Sequence, residues 1–489
     1  MINWKIRITV NKIEKYTIKY YNKVGDDTMS KKTKNAWEKY NEKQKKDVFA
    51  FSDEYKKFMS RCKTERECVK ESIRIAEENG FRNLDIIIKN NETLNPGDKV
   101  YAINMEKALA LFIIGERPME DGLKILGAHI DSPRLDLKQN PLYEDTSLAF
   151  FDTHYYGGIK KYQWVTLPLA IHGVIVKKNG ARVSVVIGED ENDPVVGISD
   201  LLVHLSQTQL EKKGNKVVEG EDLNVLIGSI PLSGNEKEKV KSNILKILEE
   251  KYGIDEEDFQ SAELEIVPAG KARDYGIDRS MIMAYGQDDR VCAYSSLMAM
   301  MDIKDVDRTC VCLLVDKEEI GSVGATGMQS RFFENTVAEV MDRVGEYSEL
   351  KLRRVLKNSK MLSSDVSAAY DPNYPSVMEK KNAAYFGHGI VFNKYTGSRG
   401  KSGCNDANAE YIAELREILD KDNISFQTAE LGKVDQGGGG TIAYILASYN
   451  MEVIDCGVAL HNMHAPYEVS SKADIYETYR AYKAFLINA

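Results

Sequence analysis

Five short words in this chain place a histidine or a carboxylate among small residues directly behind an apolar run. They are GAHIDSP at His129, GQDDR at Asp288, DKEEIGS at Glu318, SSDVSAA at Asp365 and NMHAP at His464. A short run rich in Ile, Leu and Val that stops at a polar turn reads as a strand of a sheet covered on both faces. When several strands end this way, an open α/β sheet brings their turns together at its carboxyl edge, where such sheets collect ligands. The fold expected is therefore α/β, with a mixed, largely parallel sheet flanked by helices.

The rest of the chain arranges itself around that sheet. Its 489 residues, 43% of them hydrophobic, suffice for two or three domains. Residues 1–28 precede Met29 and read either as a strand-like extension or as a misplaced start. Phe58, Met59, Val69, Ile73 and Ile75 are spaced for one amphipathic helix over residues 56–79, which Gly80 would stop. VYAINM, ALALFIIG and LKILGAHI follow as strands. Past about residue 140 the pattern turns to hairpins, one of them around Asn179 and Gly180, with no long helix until well past residue 200. We expect a catalytic α/β domain built from residues 29–140 and 263–489, interrupted at 141–262 by a β-rich module. TCVCLLV and EVIDCGV then alternate with helical segments, as in parallel α/β arrangements.

Composition removes several classes of function. The net charge of -9 comes from 75 acids and 66 bases spread along the chain, so no basic stripe suited to nucleic-acid phosphates stands out. No run approaches the roughly 18 apolar residues that span a bilayer, and no cleavable leader pattern is visible. The expectation is a cytoplasmic protein with neither nucleic acid nor membrane as partner. Seven cysteines without a CxxC pair fit a reducing compartment, and Cys310 and Cys312 alternate inside a strand as core residues.

Each of the five words has a bland alternative when taken alone. His129 with Asp131 two residues on is by itself a surface loop or a satisfied histidine. Alongside other ligands it is an imidazole whose second nitrogen a carboxylate can orient. An isolated Glu-Glu pair opens a solvated helix. Behind the strand CVCLLV and before Gly321, Glu318 and Glu319 point in different directions, so that one can bind a metal and the other move protons. Asp288 and Asp289 can bridge cations or cap a helix. His461 competes with His464, whose turn-like context favours it. Imidazole mixed with carboxylate suits Zn2+, whereas Ca2+ and Mg2+ prefer oxygen alone; Co2+ or Mn2+ can occupy the same donors.

Taken in order, these words and their neighbours SSDVSAAYDPNYP, GGGGTIA and GVALHNMHAPYEV resemble the M18 aspartyl aminopeptidase family, a group of co-catalytic metallo-aminopeptidases. The likeness runs from about Ala36 to the end of the sequence. It implies two Zn2+ per subunit, with Asp288 bridging them. His129 and Asp365 would complete one site, and Glu319 and His464 the other. Glu318 would be the general base and Asp131 the orienter of His129. The family further implies substrates with free N-termini, a preference for Asp or Glu there, dimerisation through the β-rich module and a tetrahedral dodecamer. Lys394 aligns near the family's substrate pocket, and the glycine run 437–440, with Gly439 and Gly440, would let backbone N–H groups approach a carboxylate or simply pack closely. The chain departs from the family where others carry WFDRDL: it reads YYGGIKKYQWVTLPLAIHG, with Lys160 and Lys161, and with His154 and His172 nearby. That departure keeps open an aminopeptidase for neutral or hydrophobic N-terminal residues. A silent shell-forming homologue is the other alternative.

Overall fold

The structure, a computed structural model, describes residues 34–234 and 237–489. The possible extension at residues 1–28 lies outside them. Two helices replace the single one expected over residues 56–79: Glu42–Arg61 and Glu65–Glu78, with a break at residues 62–64. Thr64 causes the break. Its hydroxyl accepts the Glu67 N–H while the Glu67 carboxylate accepts the Thr64 N–H, so the reciprocal cap starts a new helix whatever the apolar spacing says. Gly80, at φ 85°, follows the second helix as expected.

A nine-stranded sheet forms the centre. Its order is Arg82–Asn83, Lys99–Asn104, Ala108–Ile113, Cys310–Val315, Lys124–His129, Lys360–Ser364, Glu452–Gly457, Ile390–Asn393 and Phe426–Thr428. The four strands in the middle, from Cys310–Val315 to Glu452–Gly457, are mutually parallel, so their carboxyl ends share one edge. Their neighbours on both sides run antiparallel. Side chains alternate across the sheet. Leu109, Leu111, Cys310, Cys312 and Leu126 pack against the helices Glu42–Arg61, Gln287–Met301 and Lys472–Asn488. Ala110, Phe112, Val311, Leu313 and Ile125 face Phe332–Arg343 and Glu349–Asn358 on the other side. Burial on both faces is why these strands read as continuous apolar runs.

The β-rich module is a six-stranded antiparallel sheet with its own core around the fully buried Trp164. Its hairpin Leu169–Val176 with Arg182–Ile187 turns through Asn179 and Gly180. The sheet begins with Arg134–Asp145 and ends with Ala262–Pro268, wider than the expected 141–262, and its first strand starts only three residues beyond Asp131. A third sheet of five short strands, including Met281–Ala284 and Glu468–Ser471, supports the start of the helix Gln287–Met301. Among the described residues, no helix is long and apolar enough to cross a membrane.

Candidate metal centre

The four parallel strands deliver their ends to one place. His129 is the last residue of Lys124–His129, Glu318 and Glu319 form a turn just past Cys310–Val315, and Asp365 directly follows Lys360–Ser364. His464 arrives from beyond Glu452–Gly457. Asp288 and Asp289 open the buried helix Gln287–Met301, but with non-helical dihedrals (φ -80°, ψ 108° and φ -114°, ψ 27°) and without capping it. The alternative of a helix cap therefore fails for both. So does a solvated helix start for Glu318 and Glu319, whose side chains are largely buried.

Asp288 lies between two imidazoles. Its Oδ1 is 3.2 Å from His129 Nε2 and its Oδ2 is 3.4 Å from His464 Nε2. Asp365 Oδ1 stands 3.9 Å from His129 Nε2, and Glu319 Oε2 stands 3.5 Å from His464 Nε2. Glu318 Oε2 is 4.0 Å from His129 Nε2. The far nitrogen of each ring is already engaged: His129 Nδ1 faces Asp131, 3.3 Å from its carboxylate and 3.1 Å from its carbonyl, and His464 Nδ1 donates to the Gly158 carbonyl at 2.8 Å. Both rings thus offer Nε2 to the cluster, the arrangement expected of metal-binding histidines. His461 is elsewhere, on the Tyr370 carbonyl and against Phe386.

The electrostatics of this cluster favour cations. Asp131, Asp288, Asp289, Glu318, Glu319 and Asp365 converge on two imidazoles. Burial, together with neighbouring carboxylates, pushes Asp365 and Glu319 well above the usual carboxylate range and Glu318 up to about 7. Burial opposes the charged form of Asp288 too, yet hydrogen bonds with His129 and His464 hold its carboxyl below that range. Burial lowers His464, but the Asp288 hydrogen bond and the Glu319 charge outweigh it and raise the ring to about 10. Glu319 Oε1 and both Asp289 oxygens are buried without a hydrogen-bond partner. Buried acceptors left this way are costly unless a cation meets them, so the donors present fit divalent metal. The ligand atoms of His129, Asp288 and Glu319 lie within 4.8 Å of one another, as do those of His129, Asp289 and Asp365.

Asp131 does more than face His129. It also accepts the backbone N–H groups of Glu318 (3.1 Å) and Glu319 (3.2 Å) and the hydroxyl of Tyr156 (2.8 Å), so one carboxylate fixes the histidine and the glutamate turn together. Glu468 plays the matching part on the far side, accepting the N–H of Asp288 (3.0 Å) and of His464 (2.8 Å). Lys317, at φ 69°, and His464, at φ 64°, are held in the left-handed region, and such strain concentrates where surrounding structure fixes a functional side chain. Sequence reasoning missed Glu468 and Tyr156. The one faint signal for Glu468 was its place four residues after His464.

The fold leaves two expected substrate contacts outside this cluster. Lys394 follows Ile390–Asn393, which runs antiparallel to Glu452–Gly457 with Asn393 opposite Asp455, so it departs from the carboxyl edge, and its ammonium pairs with Asp406. In the glycine run, a Cβ on Gly437 would stand 1.7 Å from the Leu431 carbonyl and one on Gly438 2.5 Å from Ser398 Cα, so those two glycines serve close backbone packing. The Gly439 N–H is taken by the Thr396 carbonyl, whereas Gly440 faces open space.

A sequence model of a family described as aminopeptidase I zinc metalloprotease (M18) matches residues 58–486. The chain belongs to the M18 aminopeptidase family. A probable M18 family aminopeptidase 1 from Clostridium acetobutylicum is 72% identical over 459 residues, covering 94% of this chain and 99% of the relative. The crystal structure of an M18 aminopeptidase from Thermotoga maritima superposes with a TM-score of 0.90 at 47% identity, over 94% of this chain and 100% of that one. The S. cerevisiae mApe1 dodecamer shares the fold at a TM-score of 0.73 and 20% identity, over 88% of this chain and 95% of its own. As an M18 member this chain is a zinc metallo-aminopeptidase, a hydrolase of peptide bonds.

Proposed function

We propose that the cluster holds two Zn2+ per subunit, bridged by Asp288, with His129 and Asp365 completing one site and Glu319 and His464 the other. Asp288 carries this reading, since its two oxygens face two different imidazoles at 3.2 Å and 3.4 Å. Such ions supply a water of lowered proton affinity and a polarised scissile carbonyl. Glu318 would take the proton from the attacking water and return it to the leaving amine, which suits the most exposed carboxylate of the cluster, 17% against 11% for Asp365 and 3% for Glu319. Asp131 holds His129 and the backbone of Glu318, so base and ligand keep a fixed separation.

The proposed substrates are peptides with free N-termini, with Asp or Glu preferred. Support for an acidic preference comes from Lys160, exposed two residues past the Gly158 carbonyl that holds His464. A preference for neutral residues is the second reading, because Lys161 is engaged with the Asn215 carbonyl and Lys394 with Asp406. We also propose that the chain assembles into a tetrahedral dodecamer with the β-rich module at a subunit contact. Leu202, Val203 and Leu205 are exposed on that module, which supports such a contact, and the mApe1 fold relative is itself a dodecamer.

The test is a panel of N-terminally free and N-acetylated Asp, Glu and Leu peptides, on chelated protein and after adding Zn2+, Co2+ or Mn2+. Metal-restored cleavage of the free peptides alone, fastest for Asp and Glu, is the expected result. Faster turnover of Leu overturns the acidic preference, and inactivity with every metal leaves a silent shell.

A further inference from the structure

The proposed mechanism leaves unused the word YYGG at residues 155–158. Residues 156–158 leave the strand Leu148–Tyr156 of the inserted sheet, and Tyr156 and Gly158 hydrogen-bond to opposite sides of the metal cluster with Gly157 between them. The Tyr156 hydroxyl donates to Asp131 Oδ2 at 2.8 Å. Gly157, at φ 76°, adopts a left-handed conformation that favours glycine, and a Cβ on it would meet Glu319 Cβ and Pro133 in ordinary contact at 3.4 Å. The Gly158 carbonyl accepts from His464 Nδ1 at 2.8 Å, and a Cβ there would stand 3.4 Å from that nitrogen.

Register explains how these contacts arise. The first strand of the inserted sheet begins at Arg134 and pairs with the second so that Arg134 stands opposite Tyr156. Asp131, three residues before Arg134, is therefore brought beside the Tyr156 ring. Arg134 covers that ring at 3.9 Å and is itself held by Asp136 (2.8 Å) and Glu265 (3.2 Å), both from the same sheet. Tyr156 is 8% exposed, so neither ring nor hydroxyl has freedom to move away.

We propose that residues 156–158 are a positioning strap through which the inserted sheet sets the geometry of the metal cluster, with the Tyr156 hydroxyl its principal contact. Tyr156 acts through Asp131: it holds the carboxylate in the one orientation that can face His129 and accept the N–H groups of Glu318 and Glu319 together. Partners of this kind tune ligands without touching the metal. The inference rests on the metal reading of the cluster, and it makes the inserted sheet part of the catalytic centre as well as a surface for other subunits.

Tyr156→Phe tests it, because the ring and its contact with Arg134 stay while the hydroxyl goes; Tyr155→Phe, an exposed neighbour, is the control. The measurements are zinc per chain, melting temperature, kcat and KM on the best peptide, and the visible absorption band of the Co2+-loaded protein. Tyr156→Phe is expected to retain its zinc and fold, to lose at least tenfold in kcat with KM within twofold, and to shift the Co2+ band; Tyr155→Phe should match the parent in all of these. A Tyr156→Phe protein with the parent's kcat and Co2+ band overturns the strap. If the parent itself cleaves no peptide, the aminopeptidase reading fails separately, and the Co2+ band alone then decides the strap.

Discussion

Replacing Glu318 by Gln keeps the size and place of this side chain and removes only its ability to take a proton. Turnover should fall by about 100-fold or more while zinc content is unchanged, as kinetics and metal analysis of one preparation would show. Zinc lost with the substitution would make Glu318 a ligand. Glu468→Gln makes a different change. It removes one of the two acceptors that hold the Asp288 and His464 amides, so zinc affinity measured by competition with a chelator should weaken by about 10-fold or more. These two glutamates mark how far the sequence could be read. Glu318 was visible because it lies in the turn just past a strand, and period and position make that strand end legible. Glu468 and Tyr156 were not, because their partners are set by the register between segments far apart in the chain, which no local pattern encodes. The pairing of Lys394 with Asp406 and the antiparallel direction of its strand were likewise not legible, since both depend on segments that meet only in the fold.

Contact between the N-terminal helices and the inserted sheet depends on charge at one point. His172 Nδ1 lies 2.8 Å from Glu67 and its Nε2 3.2 Å from Glu189, with the buried Lys63 3.6 Å from Glu189. Burial pulls His172 down, but its hydrogen bonds with Glu189 and Glu67 prevail and hold it above the usual histidine range. A raised histidine contributes stability that is complete below about pH 6.5 and is lost as pH rises through the folded value. His172→Gln should therefore lower the melting temperature most near pH 6, by an amount equivalent to about 2 kcal/mol, with the gap to the parent narrowing towards pH 9. The same region shows where element prediction ran out. Thr64 and Glu67 spell a capping signal, yet the apolar spacing on both sides continues smoothly through it, and only the reciprocal hydrogen bonds locate the break. By contrast, the strands of the central sheet were legible because both of their faces are buried.

For the whole molecule, the buried excess of carboxylate at the sheet edge means that the metal-free protein bears repulsion the loaded one does not. Chelation should lower the melting temperature, and Zn2+ at a hundred times its dissociation constant should restore about 2.7 kcal/mol for each site it fills. Charging the exposed module surface with Leu202→Lys and Val203→Lys should reduce the mass seen by light scattering and leave each subunit folded. The architecture was read at the level of class and interruption; the third sheet was not foreseen, because its strands are as short as two residues and carry no period to detect. The order of the proposed ligands along the chain has one more consequence. They are recruited from His129 through Asp288, Glu319 and Asp365 to His464, and no continuous stretch that stops short of His464 contains them all. A polypeptide growing on the ribosome therefore has no complete centre until almost all of its sheet has been made. An enzyme whose chemistry is to shorten other chains is, by this arrangement, born inert.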